Sequence, residues 1–93
     1  MNKSWIYIIG SESKPYKIGF SKTPEKRLKS LQTGFPQELK ILHLEEINDD
    51  EVRNIEKCIH KENKLRRTHG EWFNLELNEA IAEVQYAIIR YSK

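Results

Sequence analysis

Glu56 and His60 stand four residues apart in this 93-residue chain, so any helix that contains them carries them on one face. A carboxylate and an imidazole so placed can share a proton, hold a metal ion between them, or only pack. They do not make a zinc signature, and Cys58, His43 and His69 do not supply ligand spacing either, which rules against a structural zinc site. Cys58 reads as a small core hydrophobe. The second chemical feature is a run of cations early in the chain: Lys14, Lys17, Lys22, Lys26, Arg27 and Lys29. Residues 1–40 hold eight Lys/Arg against three acids, residues 41–60 two against six, and residues 61–93 six against five. A local basic patch is the electrostatic footprint of a polyanion-binding surface, and its plain alternative is a solvated helix face. Lys61, Lys64, Arg66 and Arg67 form a further basic group open to the same two meanings.

The elements that must position these groups can be read from the apolar pattern. Trp5 to Ile9 is β-branched and aromatic and ends at Gly10, as a strand buried on both faces does. A turn over residues 11–15 leads to a second strand, Tyr16 to Ser21, and the two form a hairpin. Alternation puts Lys17 and Gly19 on one face and Tyr16 and Ile18 on the other, so Tyr16 is expected to pack. A glycine inside a strand marks close approach by other groups. Thr23 and Pro24 open a helix with Leu28 and Leu31 inward, Lys22, Lys26 and Lys29 outward, and Gly34 as its stop. Residues 38–47 alternate as a third strand, with Leu39, Ile41, His43 and Glu45 on one face. Asn48 and Glu51 suit a capping box for a helix whose stripe is Val52, Ile55 and Ile59, fraying into the basic residues 61–68. Residues 71–75 form a short extended segment in which Trp72 and Phe73 close the core. Asn78 caps a last helix with Ile81, Val84, Ile88 and Tyr91 inward. The expected fold is α+β, in the order β-β-α-β-α-β-α, with a small mixed or antiparallel sheet flanked by helices.

Length and composition allow one domain over residues 1–93. The single cysteine excludes an internal disulfide, and a secreted domain of this size would ordinarily need one. The apolar run at the N-terminus is too short for a signal peptide or a membrane span. A reduced cytoplasm and no membrane partner are the expectation.

Four segments in order carry a family pattern: Tyr16-Lys17-Ile18-Gly19-Phe20-Ser21, Arg27 to Pro36, Glu56-Lys57-Cys58-Ile59-His60, and Gly70-Glu71-Trp72-Phe73-Asn74. Together they resemble the GIY-YIG nuclease superfamily. The closer likeness is to the branch named for the phage T5 Orf172 DNA-binding domain and its relatives of the meiotically up-regulated gene 113 type. The likeness covers roughly residues 5–76. Trp5 replaces the first glycine of the name motif and Lys17 its second tyrosine. The resemblance implies Tyr7 as general base, Lys17 at the second tyrosine position, Arg27 on the phosphate, and Glu56 as the ligand of Mg²⁺ or Mn²⁺. His60 joins this catalytic set as proton carrier, second-shell group or second ligand. Lys14, Lys22, Lys26, Lys29 and Asn74 then become the nucleic-acid contacts.

Those residue types suit phosphodiester hydrolysis, which needs an activated water, a neutralised phosphate and a stabilised leaving oxygen. Mg²⁺ keeps most of its waters and takes one or two carboxylates, and a guanidinium forks onto two phosphate oxygens. A free tyrosine, with a pKa of about 10, would need a nearby cation to ionise, and Lys17 across the hairpin is the expected one. Three functions fit: a metal-dependent endonuclease acting on nucleic acid, with DNA as the expected polymer; a DNA-binding module that kept the cradle and lost the cutting; and a phage-type accessory that binds protein. With no second domain expected to supply selectivity, a nuclease would be weakly selective or would rely on a homodimer or a larger protein partner.

Overall fold

A computed structural model describes residues 2–91. Five strands form one sheet in the order β3-β1-β2-β5-β4, every neighbouring pair antiparallel. The strands are β1 (Lys3–Gly10), β2 (Tyr16–Ser21), β3 (Lys40–Asn48), β4 (Arg67–His69) and β5 (Trp72–Phe73); the helices are α1 (Pro24–Gln32), α2 (Asp49–Glu62) and α3 (Leu77–Tyr91). The α+β class and the element order expected from the pattern hold, with β4 and a single 3-10 turn, Lys64–Arg66, formed where the sequence suggested only a fraying helix end.

β1 is central and covered on both faces, which is why its sequence is a nearly unbroken apolar run. Ile6 and Ile8 point with Tyr16, Ile18 and Phe73 into the larger cluster, closed by Val52, Ile55 and Ile59 of α2 and Ala80, Val84 and Ala87 of α3. Tyr7 and Ile9 point the other way, with Leu39 and Trp72, under Leu28, Leu31 and Phe35. Trp72 closes that side by stacking on Phe35, ring centroids 5.3 Å apart. α1 buries no residue completely; it is a light cover held by two half-buried leucines.

Several local expectations are corrected. β3 does not keep one alternation: Ile41 pairs with Ile9 but His43 pairs with Ile8, a bulge at Leu42. The extra residue exchanges the faces, so Leu39 and Ile41 sit with Tyr7 while His43 and Glu45 sit on the opposite side. Thr23 and Asn48 occupy the N-cap positions without side-chain caps. Asn48 Oδ1 instead accepts from Lys3 Nζ at 2.7 Å, and Ser21 Oγ accepts from the Thr23 N–H at 2.9 Å. Gly34 follows a helix that closes at Thr33 in an ordinary right-handed conformation; among the described residues only Gly70 has positive φ, at 54°. Asn78 lies inside α3, where Glu79 Oε1 caps by accepting from the Glu76 N–H at 3.0 Å.

Gly10 ends β1 because nothing larger fits. A Cβ there would overlap the ring of Tyr16, itself buried in the larger cluster. Gly10→Ala is expected to cost about 1–3 kcal/mol by overpacking. The urea midpoint should fall with the slope unchanged; an unmoved midpoint would mean the ring has room to swing aside.

Candidate functional site

The site forms where the sheet is left incomplete. β5 pairs with only the first part of β2, at Tyr16 and Lys17. One further bond, from the Ile18 N–H to the Glu71 carbonyl at 3.0 Å, ends the contact. Beyond it the edge of β2 is open at Gly19, so groups from both faces can meet around that edge. Gly19 has no side chain to keep them apart. A Cβ there would lie 2.6 Å from Tyr7 Oη and 2.7 Å from Glu71 Oε1.

From the α1 face come Tyr7, Arg27 and Lys17. The register pairs Tyr7 with Gly19 and Ile9 with Lys17, which places Tyr7 and Lys17 on one face, as strand alternation required. Arg27 Nε donates to Tyr7 Oη at 3.5 Å, the long limit of a hydrogen bond. Lys17 is buried, its side chain 8% exposed, with Nζ 3.2 Å from Glu71 Oε1 and 5.7 Å from the Trp72 ring centroid.

From the other face comes α2. Val52, Ile55 and Ile59 anchor it in the core, and Glu56 and His60 lie on its flank, one turn apart. His60 Nε2 donates to the Ile18 carbonyl at 2.8 Å, and its ring tilts against Phe73 at 5.0 Å. Glu56, His60 and Glu71 each offer a ligand atom within 4.8 Å of the others. Glu56 Oε2 is buried with no hydrogen-bond partner. An orphaned buried carboxylate oxygen calls for an explanation, and either a proton held against Glu71 or a cation beside it would supply one.

The electrostatics follow from this crowding. The Glu56 carboxyl is pushed up to about 7, first by burial, then by the charge and hydrogen bond of Glu71; Lys17 and Arg53 oppose this only in part. The Tyr7 hydroxyl is also raised, first by burial; the Arg27 hydrogen bond pulls it down, while the charges of Glu71 and Glu56 add to the rise. This corrects the expectation that Lys17 lowers the tyrosine: Lys17 is engaged by Glu71, and Arg27 is the cation at the phenol. A pH dependence follows. Folded Glu56 holds its proton to about 7 and an unfolded one only to about 4.5, so the folded state binds more protons between those values. Its contribution to stability is complete below about pH 4.5 and is lost as pH rises through about 7. Metal-free protein is expected to melt at a lower temperature at pH 8 than at pH 5.5, and Glu56→Gln should flatten that slope; an equal slope in both would place the titration elsewhere.

Residues 4–88 match the family model described as the T5orf172 domain. The chain belongs to the T5orf172 domain family. No curated protein and no solved structure gives a significant match. Membership makes this a small nucleic-acid-related domain of phage-like kind, and the matched span includes Tyr7, Lys17, Gly19, Arg27, Glu56, His60 and Glu71. No helix among the described residues is long and apolar enough to cross a membrane.

Not every residue singled out in the sequence of this T5orf172 domain reaches the site. Lys14 sits in the hairpin turn, paired with Glu76 at 3.1 Å, and Lys22 is paired with Asp49 at 3.3 Å. Lys26 and Lys29 are exposed on α1, the helix that carries Arg27. Asn74 follows β5 at its Tyr16 end, away from Gly19, exposed, with its N–H donating to the Arg66 carbonyl at 2.7 Å. Glu71 is the member that sequence reasoning passed over. Its sign in the sequence was its place in the segment Gly70-Glu71-Trp72-Phe73-Asn74, a carboxylate between a turn glycine and a buried Trp-Phe pair.

Proposed function

We propose that this T5orf172 domain is a divalent-metal-dependent endonuclease of GIY-YIG type, acting on nucleic-acid phosphodiesters and on DNA first. One observation supports this best. A phenol paired with a guanidinium meets a carboxylate–imidazole–carboxylate group across a strand glycine. Mg²⁺ or Mn²⁺ fits the acidic side, where Glu56 presents its unpartnered oxygen. When bound, such an ion supplies charge neutralisation at the phosphate and stabilises the departing 3′ oxygen.

The chain's own groups do the rest. Tyr7 acts as the phenolate, which the Arg27 Nε–H stabilises, and on taking the proton of the attacking water it becomes the neutral phenol. The remaining Arg27 donors lie free to fork onto the phosphate. Lys17 fixes the Glu71 carboxylate beside Gly19. His60, bonded to the Ile18 carbonyl, ties α2 to the open strand edge and keeps Glu56 facing it. Lys26 and Lys29 extend the positive surface beyond Arg27 along α1, while Lys14 and Lys22 would have to leave carboxylate partners to reach DNA. Asn74 has no part in this scheme. A homodimer or a larger partner would supply target choice.

Incubation of supercoiled plasmid with the purified chain and Mg²⁺ or Mn²⁺ tests the reading. Nicking that stops on chelation and is absent from Tyr7→Phe and Glu56→Ala is the expected result. DNA mobility shifts without cutting would instead make the chain a silent binding module. Trace nicking equal in all three proteins would mark a contaminant.

A further inference from the structure

Resting on that reading of the site, we infer that this chain holds its ion through three side chains, Glu56, His60 and Glu71, and that the set selects a first-row transition ion such as Mn²⁺ over Mg²⁺. The three donors come from two turns of α2 and from the residue before β5, and they already lie within 4.8 Å of one another. An ion with bonds of ~2.1 Å spaces its adjacent donors roughly 3–4 Å apart, so closure draws the donor atoms inward from that 4.8 Å limit.

The imidazole is prepared as a ligand. Its Nε2–H is committed to the Ile18 carbonyl at 2.8 Å, which leaves the lone pair on Nδ1. A metal-bound histidine ordinarily donates its other N–H to a carbonyl or carboxylate in this way. The Phe73 ring holds the imidazole plane from one side. Glu71 is held too: Lys17 Nζ sits 3.2 Å from Oε1, which leaves Oε2 for an ion. Two carboxylates match a dication in charge. A nitrogen donor shifts preference from the hard, strongly hydrated Mg²⁺ towards Mn²⁺ and the later ions. Gly19 makes the arrangement possible, since any side chain there would meet Glu71 Oε1.

The test is ion binding by the full chain without DNA, by calorimetry and by the loss of free Mn²⁺ signal in paramagnetic resonance. One Mn²⁺ per chain is expected, with Mg²⁺ at least tenfold weaker. Glu71→Gln and His60→Ala should each weaken Mn²⁺ at least tenfold while the variants keep the parent's circular dichroism. Glu71→Gln is the safer variant, being equal in shape to the parent, should the loss of the His60 bond loosen α2. Equal affinity for Mn²⁺ and Mg²⁺, or Mn²⁺ affinity unchanged in Glu71→Gln, would overturn the inference. Because no DNA is present, three-donor binding without cleavage would leave the inference standing and remove the nuclease reading. Mg²⁺-driven cleavage indifferent to Glu71 and His60 would do the reverse.

Discussion

Glu56→Gln is expected to lower the single-turnover rate of plasmid cleavage by at least about 1,000-fold, the scale on which loss of a principal electrostatic stabiliser is felt. The amide fills the same volume on the flank of α2 but carries no charge. It therefore removes what the buried, unpartnered Oε2 offers to a cation. Stability should not suffer, because the native carboxyl is already held up to about 7 by burial and by Glu71; at pH 8 the variant should melt at or above the parent temperature. DNA affinity should change only a few-fold, since on the proposed reading the phosphate contacts would come from lysines and Arg27 rather than from Glu56. Cleavage rate, melting temperature and mobility shift, measured on one preparation, check all three statements. A variant that cuts within tenfold of the parent would remove Glu56 from the chemistry.

Gly19→Ala is expected to cost about 100-fold in cleavage, with the fold retained. The added methyl would come within 2.6 Å of Tyr7 Oη and 2.7 Å of Glu71 Oε1. The Glu71 side chain can swing away, but the Tyr7 ring is buried in the second core cluster and yields only by shifting its neighbours. Both chemical sides of the site are thus pushed apart by one small group, and displacements near 1 Å are enough for losses of ~10²-fold. The backbone itself raises no objection, since Gly19 has an ordinary extended conformation in β2. Native-like circular dichroism, with lost cleavage and weakened Mn²⁺ binding, is the expected combination. Unchanged cleavage would show that Tyr7 and Glu71 need not meet over this residue.

What the sequence disclosed and what it hid divide along physical lines. The co-facial placement of Tyr7 and Lys17 was legible, because side-chain alternation in a hairpin is a local property. The covered central strand was legible from its apolar run. The bulge at Leu42 was not, since it depends on how β3 meets the irregular end of β1. The caps were misread because Asn48 answers to Lys3, 45 residues away, rather than to its own helix. Glu71 stayed hidden for a similar reason. Its place in the site follows from β5 covering only part of β2, a long-range pairing that no short motif records. The raised Tyr7 hydroxyl was the opposite of expectation first because burial dominates it, and then because the carboxylate that engages Lys17 could not be known before Glu71 was placed.

The central claim is most directly measured by following conversion of supercoiled to nicked plasmid with Mn²⁺, the parent chain beside Tyr7→Phe, and a chelator added midway. The account predicts steady nicking by the parent that halts at the addition and no nicking by the phenylalanine variant. Nicking that continues through the chelator, or that Tyr7→Phe matches, would contradict it.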